Sequence, residues 1–328
     1  MSREPIAVLR DDLQSHLAVR AWNALSAMKD TPERIEVLSE HRRWGVYRLV
    51  GAGAEGASVI AKCSPPAVAT IELAVYEHVL PHVPVTVPRF YGSLPANGGE
   101  GDRWIFLEDL GLEHYSDASP VHLALTARWV ARMHRAAAGL AAAQQLPDGG
   151  PKRYLAHLRA ARDKIRRRLP RPGLTPKDVT MLLGVVVVLD FLEARWSRIE
   201  ASCVGLPQTL VHGDFRPKNV HLRANGHGLD CYPIDWETAG WGVPAIDLTR
   251  IDVAAYWAVA REWQVGLELK TVQRLADLGR VFSTVAAIDW DSTGLRFESR
   301  RVISQPLASI EVLVGHLVDA AQTAGALE

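Results

Sequence analysis

Between Leu210 and Glu237 two acids and an amide, Asp214, Asn219 and Asp235, sit inside apolar, strand-like sequence. The stretch reads Leu-Val-His-Gly-Asp-Phe-Arg-Pro-Lys-Asn-Val-His-Leu, then a Gly-rich turn, then Cys-Tyr-Pro-Ile-Asp-Trp-Glu. Pro217 pushes Arg216 toward extended backbone and prevents a helix, so Asp214 to Asn219 must be a loop. Val220 to Arg223 and Leu229 to Ile234 then read as two short strands around Asn225-Gly226-His227-Gly228, a hairpin signal. Closing that hairpin returns Asp235 to the neighbourhood of Asn219.

Such hard oxygen ligands suit a magnesium-nucleotide reaction, because Mg²⁺ takes one or two carboxylates and leaves the remainder to phosphates and water. Phosphoryl transfer also needs an acceptor for the proton of the attacking hydroxyl, and kinases place that Asp five residues before a metal-binding Asn. Asp214 and Asn219 keep the interval. A shaped turn or a satisfied core polar group would account for any one of these residues. The ordered set reads as base, metal ligand and metal ligand.

His212-Gly213-Asp214 with Asn219, then Ile234-Asp235-Trp236-Glu237 and later Asp247, resembles the aminoglycoside phosphotransferase and choline kinase superfamily of small-molecule kinases. The resemblance implies an α+β, two-lobed protein-kinase-like fold. An N-terminal nucleotide-binding lobe, an antiparallel sheet plus helix, would cover residues 1–110. A larger, mainly helical lobe with the catalytic loop and substrate pocket would cover 111–328. Gly213 stands where protein kinases carry Arg, and Glu237 where they carry the Gly of Asp-Phe-Gly, which favours a small-molecule acceptor over a protein. The resemblance runs from residue 34 onward, but only 210–248 is specific.

The 328 residues, 48% hydrophobic and 23% charged, suffice for a large core, which sets disorder aside. Lys plus Arg equal Asp plus Glu at 37 each, so no global field points to nucleic acid or a membrane. Cys63, Cys203 and Cys231 lack Cys-x-x-Cys spacing, against a disulfide framework or a zinc site. Met1 to Arg20 has no apolar run of the signal-peptide kind, and Met181 to Leu192 is too short to span a bilayer. A cytoplasmic protein is expected.

Along the first lobe, Pro5 to Met28 has helical spacing, with Val8, Leu13, Leu17, Val19, Trp22 and Leu25 recurring. Arg34 to Leu38, Val46 to Val50 and Ser58 to Cys63 read as an antiparallel meander. Two loops compete to cover phosphates. Gly51-Ala52-Gly53-Ala54-Glu55-Gly56 is expected to be a hairpin turn using positive φ. The resemblance favours Ser39 to Gly45, with Ser39, backbone amides, Arg42 and Arg43 near the phosphates. It likewise makes Lys62 the lysine on the α and β phosphates and Glu72, in Glu-x-x-x-Tyr-x-x-x-Leu with Tyr76 and Leu80, its partner, with Glu77 the alternative. Arg89 to Leu94 and Trp104 to Leu107 form a strand pair around Asn97-Gly98-Gly99. Glu108-Asp109-Leu110-Gly111 resembles the hinge, where an adenine edge would pair with backbone at Leu107 and Asp109.

From Ser119 long helical runs begin, with Pro120 in a first turn and His134 as a packed structural histidine. Pro151 to Leu169 carries eight basic residues against Asp163. Such a run is either an anion site or, more commonly, a solvated face whose long side chains cover apolar neighbours. Thr175-Pro176 starts a helix expected to reach Ile199. The family pattern gives Asp247 backbone hydrogen bonds that fix the catalytic loop, with His212 beside it. Helices are expected over 246–260, 269–287 and 307–324.

Together these readings imply an ATP- and Mg²⁺-dependent transfer to a hydroxyl of a small molecule, either an antibiotic or a related amino or sugar alcohol. A metabolic choline, amino-alcohol or sugar kinase is one alternative. A non-catalytic nucleotide-binding regulator is the other, although the base, lysine and metal ligands it would lack are all in place. A polycationic acceptor would want acids such as Glu262, Glu268, Asp289 and Asp291, and Trp faces could bind a quaternary ammonium.

Overall fold

The computed structural model describes residues 5–25, 31–40, 44–96, 101–111, 115–169, 172–226 and 228–326. Met28, Arg42, Arg43, Asn97-Gly98-Gly99 and His227 lie outside them.

In chain order the strands are β1 (Ala7–Leu9), β2 (Arg34–Glu40), β3 (Gly45–Val50), β4 (Val59–Ser64), β5 (Phe90–Pro95), β6 (Arg103–Glu108), β7 (Thr209–Val211), β8 (Val220–Asn225), β9 (Gly228–Pro233) and β10 (Gly240–Gly242). The helices are α1 (Leu17–Leu25), α2 (Pro66–Ala74), α3 (Pro120–Ala137), α4 (Ala141–Gln144), α5 (Pro151–Arg168), α6 (Pro176–Ala194), α7 (Trp196–Cys203), α8 (Val253–Ala260), α9 (Leu269–Gly294) and α10 (Arg300–Thr323). The chain divides into two compact units, Met1–Leu146 with Phe215–Ala239, and Pro147–Asp214 with Gly240–Glu328.

The first unit is built on a six-stranded antiparallel sheet in the order β1-β2-β3-β4-β6-β5. Strand side chains alternate between faces, and β4 uses the alternation fully. Val59, Ala61 and Cys63 enter a core with Trp22 of α1, Ile35, Leu49, Trp104 and Phe106. Trp22 is anchored there by donating Nε1–H to the Ala52 carbonyl at 2.9 Å. Lys62 is left on the opposite face.

The N-terminus does not form the single helix expected over 5–28. Instead β1 pairs with β2, a 3₁₀ turn spans Leu13–Ser15, and among the described residues only Leu17–Leu25 is α-helical. Asp12 adopts left-handed backbone, φ 50°, which no continuous α-helix tolerates. The unpaired edge of β2 takes up the backbone groups that a helix would otherwise have satisfied internally. Gly51 and Gly56 turn the chain between β3 and β4 at φ 78° and 77°, as the turn reading expects.

The compositional shift near residue 110 falls inside this unit, because α3 packs on the β8–β9 side of it. Trp129 donates to the Thr86 carbonyl at 2.9 Å and its ring lies 6.3 Å from both Phe215 and Trp236.

The second unit is mainly helical, with α9 lying between α5 and α10. Here four expected boundaries move. The helix expected over 269–287 runs on to Gly294. The helix from Pro176 stops at Ala194, where Arg195 leaves helical geometry and Trp196 turns inward to donate to the Pro151 carbonyl at 3.2 Å. The run expected over 246–260 is a 3₁₀ turn, Pro244–Leu248, followed by α8. Asp252 caps α8 by accepting from Ala254 and Ala255 N–H at 2.9 and 3.0 Å. The last helix starts at Arg300, with Pro306 inside it. By length and composition α10 is apolar enough to cross a membrane; in the structure Ile303, Leu307, Ile310 and Leu317 are buried.

Half of the basic residues of α5 pair within this unit. Arg159, Arg162 and Arg166 pair with Asp190 and Glu193 of α6, and Lys164 pairs with Asp289 of α9 at 2.8 Å. Four of the eight basic residues thus form an interhelical ion-pair array.

Candidate active site

Lys62 projects from β4 into a nest of carboxylates in the first unit. Its Nζ lies 2.7 Å from Glu72 Oε2 of α2, 2.6 Å from Asp235 Oδ1 and 3.9 Å from Glu237 Oε2. Burial works against the ammonium, but Glu72 and Asp235 outweigh it and hold the lysine charged. Glu77, the alternative partner, accepts from Ser93 instead at 3.4 Å.

The hairpin supplies the rest of this cluster. Register Val220 against Pro233 and a 2.9 Å bond from Ile234 N–H to the Asn219 carbonyl bring the two ends of the ribbon together. Asn219 closes a 3₁₀ turn opened by Pro217 and is buried. Asp235 follows β9 in left-handed backbone, φ 69° and ψ 58°. A non-glycine residue there is held by its surroundings, and such strain gathers at functional sites.

Three carboxylates, Glu72, Asp235 and Glu237, lie within 4 Å of the Lys62 ammonium, and Lys218 also acts on Glu237. The Glu237 carboxyl is accordingly pushed up, by burial first and by Asp235 next. A carboxylate at Asp235 and an amide oxygen at Asn219 suit a hard divalent cation. Among the described residues no three His, Cys, Asp or Glu side chains form a complete metal cage. Mg²⁺ does not require one, since it keeps waters and takes substrate phosphates.

In the second unit, β7 pairs with β10 and leads into His212-Gly213-Asp214. Asp247, fully buried on the Pro244–Leu248 turn, accepts from His212 N–H at 2.7 Å and Gly213 N–H at 3.0 Å. Gly213 sits at φ 81°, a conformation that L side chains rarely adopt. His212 Nδ1 accepts from Asp214 N–H at 3.3 Å. The backbone before Asp214 is thus fixed from two sides, and the Asp214 side chain remains half-buried. Behind the turn stands α9, so close that a Cβ on Gly279 would lie 1.9 Å from the Ala245 carbonyl oxygen.

At the end of β6, Leu107 is buried between Ile60 and Phe90, and the chain leaves the sheet at Glu108. Two arginines that sequence reasoning missed grip this exit. Arg48 of β3 reaches Asp109 Oδ2 at 2.8 Å; Arg223 of β8 reaches Glu108 Oε1 at 2.7 Å and the Asp109 carbonyl at 3.3 Å. Arginines on strands could have drawn notice, but nothing local names their partners.

Ser39 lies inside β2, paired with Val46, which pairs in turn with Lys62, so it stands on the lysine's face of the sheet two strands away. Two of the four acids proposed for a cationic acceptor are engaged elsewhere. Asp289 binds His157 and Lys164, each at 2.8 Å, and Asp291 accepts from Ser309 at 2.5 Å.

The phosphotransferase enzyme family matches the chain over residues 45–287. No curated protein matches it by sequence. Among solved structures it is similar to a GDP complex of an aminoglycoside 2'-phosphotransferase variant, with TM-score 0.59 and 16% identity, over 88% of this chain and 93% of that one. Choline kinase from Cryptosporidium parvum Iowa II gives TM-score 0.59 and 10% identity over 89% and 91%. A spectinomycin phosphotransferase in complex with ADP and spectinomycin gives 0.55 and 12% over 88% and 93%. At these identities the likeness is one of fold.

Proposed function

The chain belongs to the phosphotransferase enzyme family, and from that premise we propose that it is an ATP-dependent O-phosphotransferase acting on a hydroxyl of a small molecule. The observation that carries this reading is the Lys62 ammonium held between Glu72 and Asp235, with Asn219 drawn alongside by the hairpin. That arrangement is what a triphosphate with a divalent ion asks of a protein. Neighbouring folds solved with GDP and ADP support the nucleotide part.

In the proposed reaction Lys62 neutralises phosphate charge, and Glu72 keeps it aimed. Asp214 accepts the proton of the acceptor hydroxyl while the acceptor oxygen bonds to the γ-phosphorus and the bond to the β–γ bridging oxygen breaks, releasing ADP. A Mg²⁺ ion held by Asn219 and Asp235 would offset the charge on the phosphate oxygens. Asp247 and His212 act on this step only by fixing the loop that carries Asp214. Positioning and charge do most of the work in such transfers.

The acceptor is a hydroxyl-bearing antibiotic or amino or sugar alcohol; a metabolic choline or amino-alcohol kinase is the nearest alternative. Engagement of Arg159, Arg162 and Arg166 by α6 weakens one objection to a cationic acceptor. ATP consumption against a panel of aminoglycosides, other hydroxylated antibiotics, amino alcohols and sugars tests this. Asp214→Asn should abolish acceptor-dependent turnover and leave nucleotide binding intact. Turnover persisting in that variant would remove Asp214 from its role, and no consumption with any acceptor class would reject the transferase reading.

A further inference from the structure

We propose that the exit of β6 selects adenine over guanine and that Arg223 sets the choice. The inference rests on the reading that backbone at Leu107 and Asp109 meets the nucleobase. Each of those residues offers one carbonyl acceptor and one N–H donor. Adenine presents an amino donor beside a ring-nitrogen acceptor on its pairing edge. Guanine presents the reverse, an O6 acceptor beside N1–H and N2–H donors.

An adenine is served by the Leu107 carbonyl and the Asp109 N–H. A guanine whose O6 accepts from the Asp109 N–H turns its two donors toward the next acceptor along the chain, the Asp109 carbonyl. That carbonyl already accepts from Arg223 Nη2 at 3.3 Å. A guanidinium offers donors only and takes one of that carbonyl's two lone pairs, so at most one of guanine's two N–H groups arriving there finds an acceptor. Adenine puts no donor at that point.

The arrangement is held on every side. Arg223 Nη1 is tied to Glu108 Oε1 at 2.7 Å, and the guanidinium lies 5.1 Å from the centre of the Tyr232 ring. Glu108 Oε2 accepts from Arg89 N–H at 3.0 Å. Asp109 is gripped through Oδ2 by Arg48 at 2.8 Å and through Oδ1 by Gly111 N–H at 3.2 Å. The Asp109 peptide cannot swing its carbonyl away from Arg223 without breaking these bonds.

Titration calorimetry of ADP and GDP with Mg²⁺, on the full chain, tests the idea without needing the acceptor. The wild type should bind ADP more tightly than GDP by roughly 10- to 100-fold, the effect of a buried donor left without an acceptor. Arg223→Met should improve GDP relative to ADP about tenfold, most of the change lying in GDP. Glu108→Gln, which loosens Arg223 but keeps it, should move the ratio the same way by less; if the methionine variant does not fold, this ratio decides. Equal binding of the two nucleotides by the wild type overturns the specificity inference alone. A ratio unmoved in the variants, or both nucleotides weakened by one factor, assigns Arg223 a merely structural role and also overturns it. Binding of neither nucleotide overturns the nucleotide reading itself, and this inference with it.

Discussion

Asp247→Asn is the sharpest test of how the loop before Asp214 is held. The native carboxylate is fully buried and accepts two consecutive backbone N–H groups, from His212 at 2.7 Å and Gly213 at 3.0 Å. Asparagine keeps the shape but presents an amide NH₂ where one oxygen was, and NH₂ cannot accept. Losing one hydrogen bond to a charged acceptor costs about 1.5–3 kcal/mol, and the buried N–H left behind adds about 1–3 kcal/mol. The sum, about 2.5–6 kcal/mol, is a large share of the 5–15 kcal/mol typical of whole proteins. At about 2–4 °C per kcal/mol for units of this size, the melting temperature should fall by roughly 10 °C. Calorimetry or circular dichroism on heating reads this directly. The asparagine variant should also lose turnover while ADP binding, which is assigned to residues of the other unit, changes little. A melting temperature within 2 °C of wild type would refute the claim that these two bonds hold the loop.

Two further perturbations probe the second unit. Gly279→Ala drives a Cβ to 1.9 Å from the Ala245 carbonyl, whereas an added Cβ on Gly184 of α6 meets nothing within 4 Å. The first should destabilise by about 3 kcal/mol and the second stabilise by about 0.5–1 kcal/mol through helix propensity; chemical denaturation giving the same sign for both would contradict the packing. Asp289 is held below the usual carboxylate range, since burial, which alone would raise it, is outweighed by His157 and Lys164. Its contribution is therefore complete above the unfolded value of about 3.9 and is lost as pH falls through the lower folded value. Asp289→Asn should cost about 3 kcal/mol at pH 7 by leaving Lys164 without its carboxylate, with the wild-type and variant curves converging in acid; a constant gap down to pH 2 would show that the pair is not the cause.

What this sequence determined by itself is short-range. Pro217 and the turn at Asn225 to Gly228 act on their own neighbours, so the loop and ribbon that join Asn219 to Asp235 were legible residue by residue. Period-two burial in β4 likewise announced Lys62 as the odd side chain of an apolar strand, and Glu72 lies only ten positions away from it. Tertiary structure decided matters in which the partner lies far off along the chain. Arg223 and Glu108 stand 115 residues apart, Lys164 and Asp289 125 apart, and no local pattern pairs them. The free edge of β2 turned Ala7–Leu9 into a strand, and Trp196 broke a run that propensity alone would have continued. Backbone preference is fixed by the few residues around each bond, but an arginine or an exposed sheet edge accepts any partner of the right chemistry, and only the packed chain chooses which.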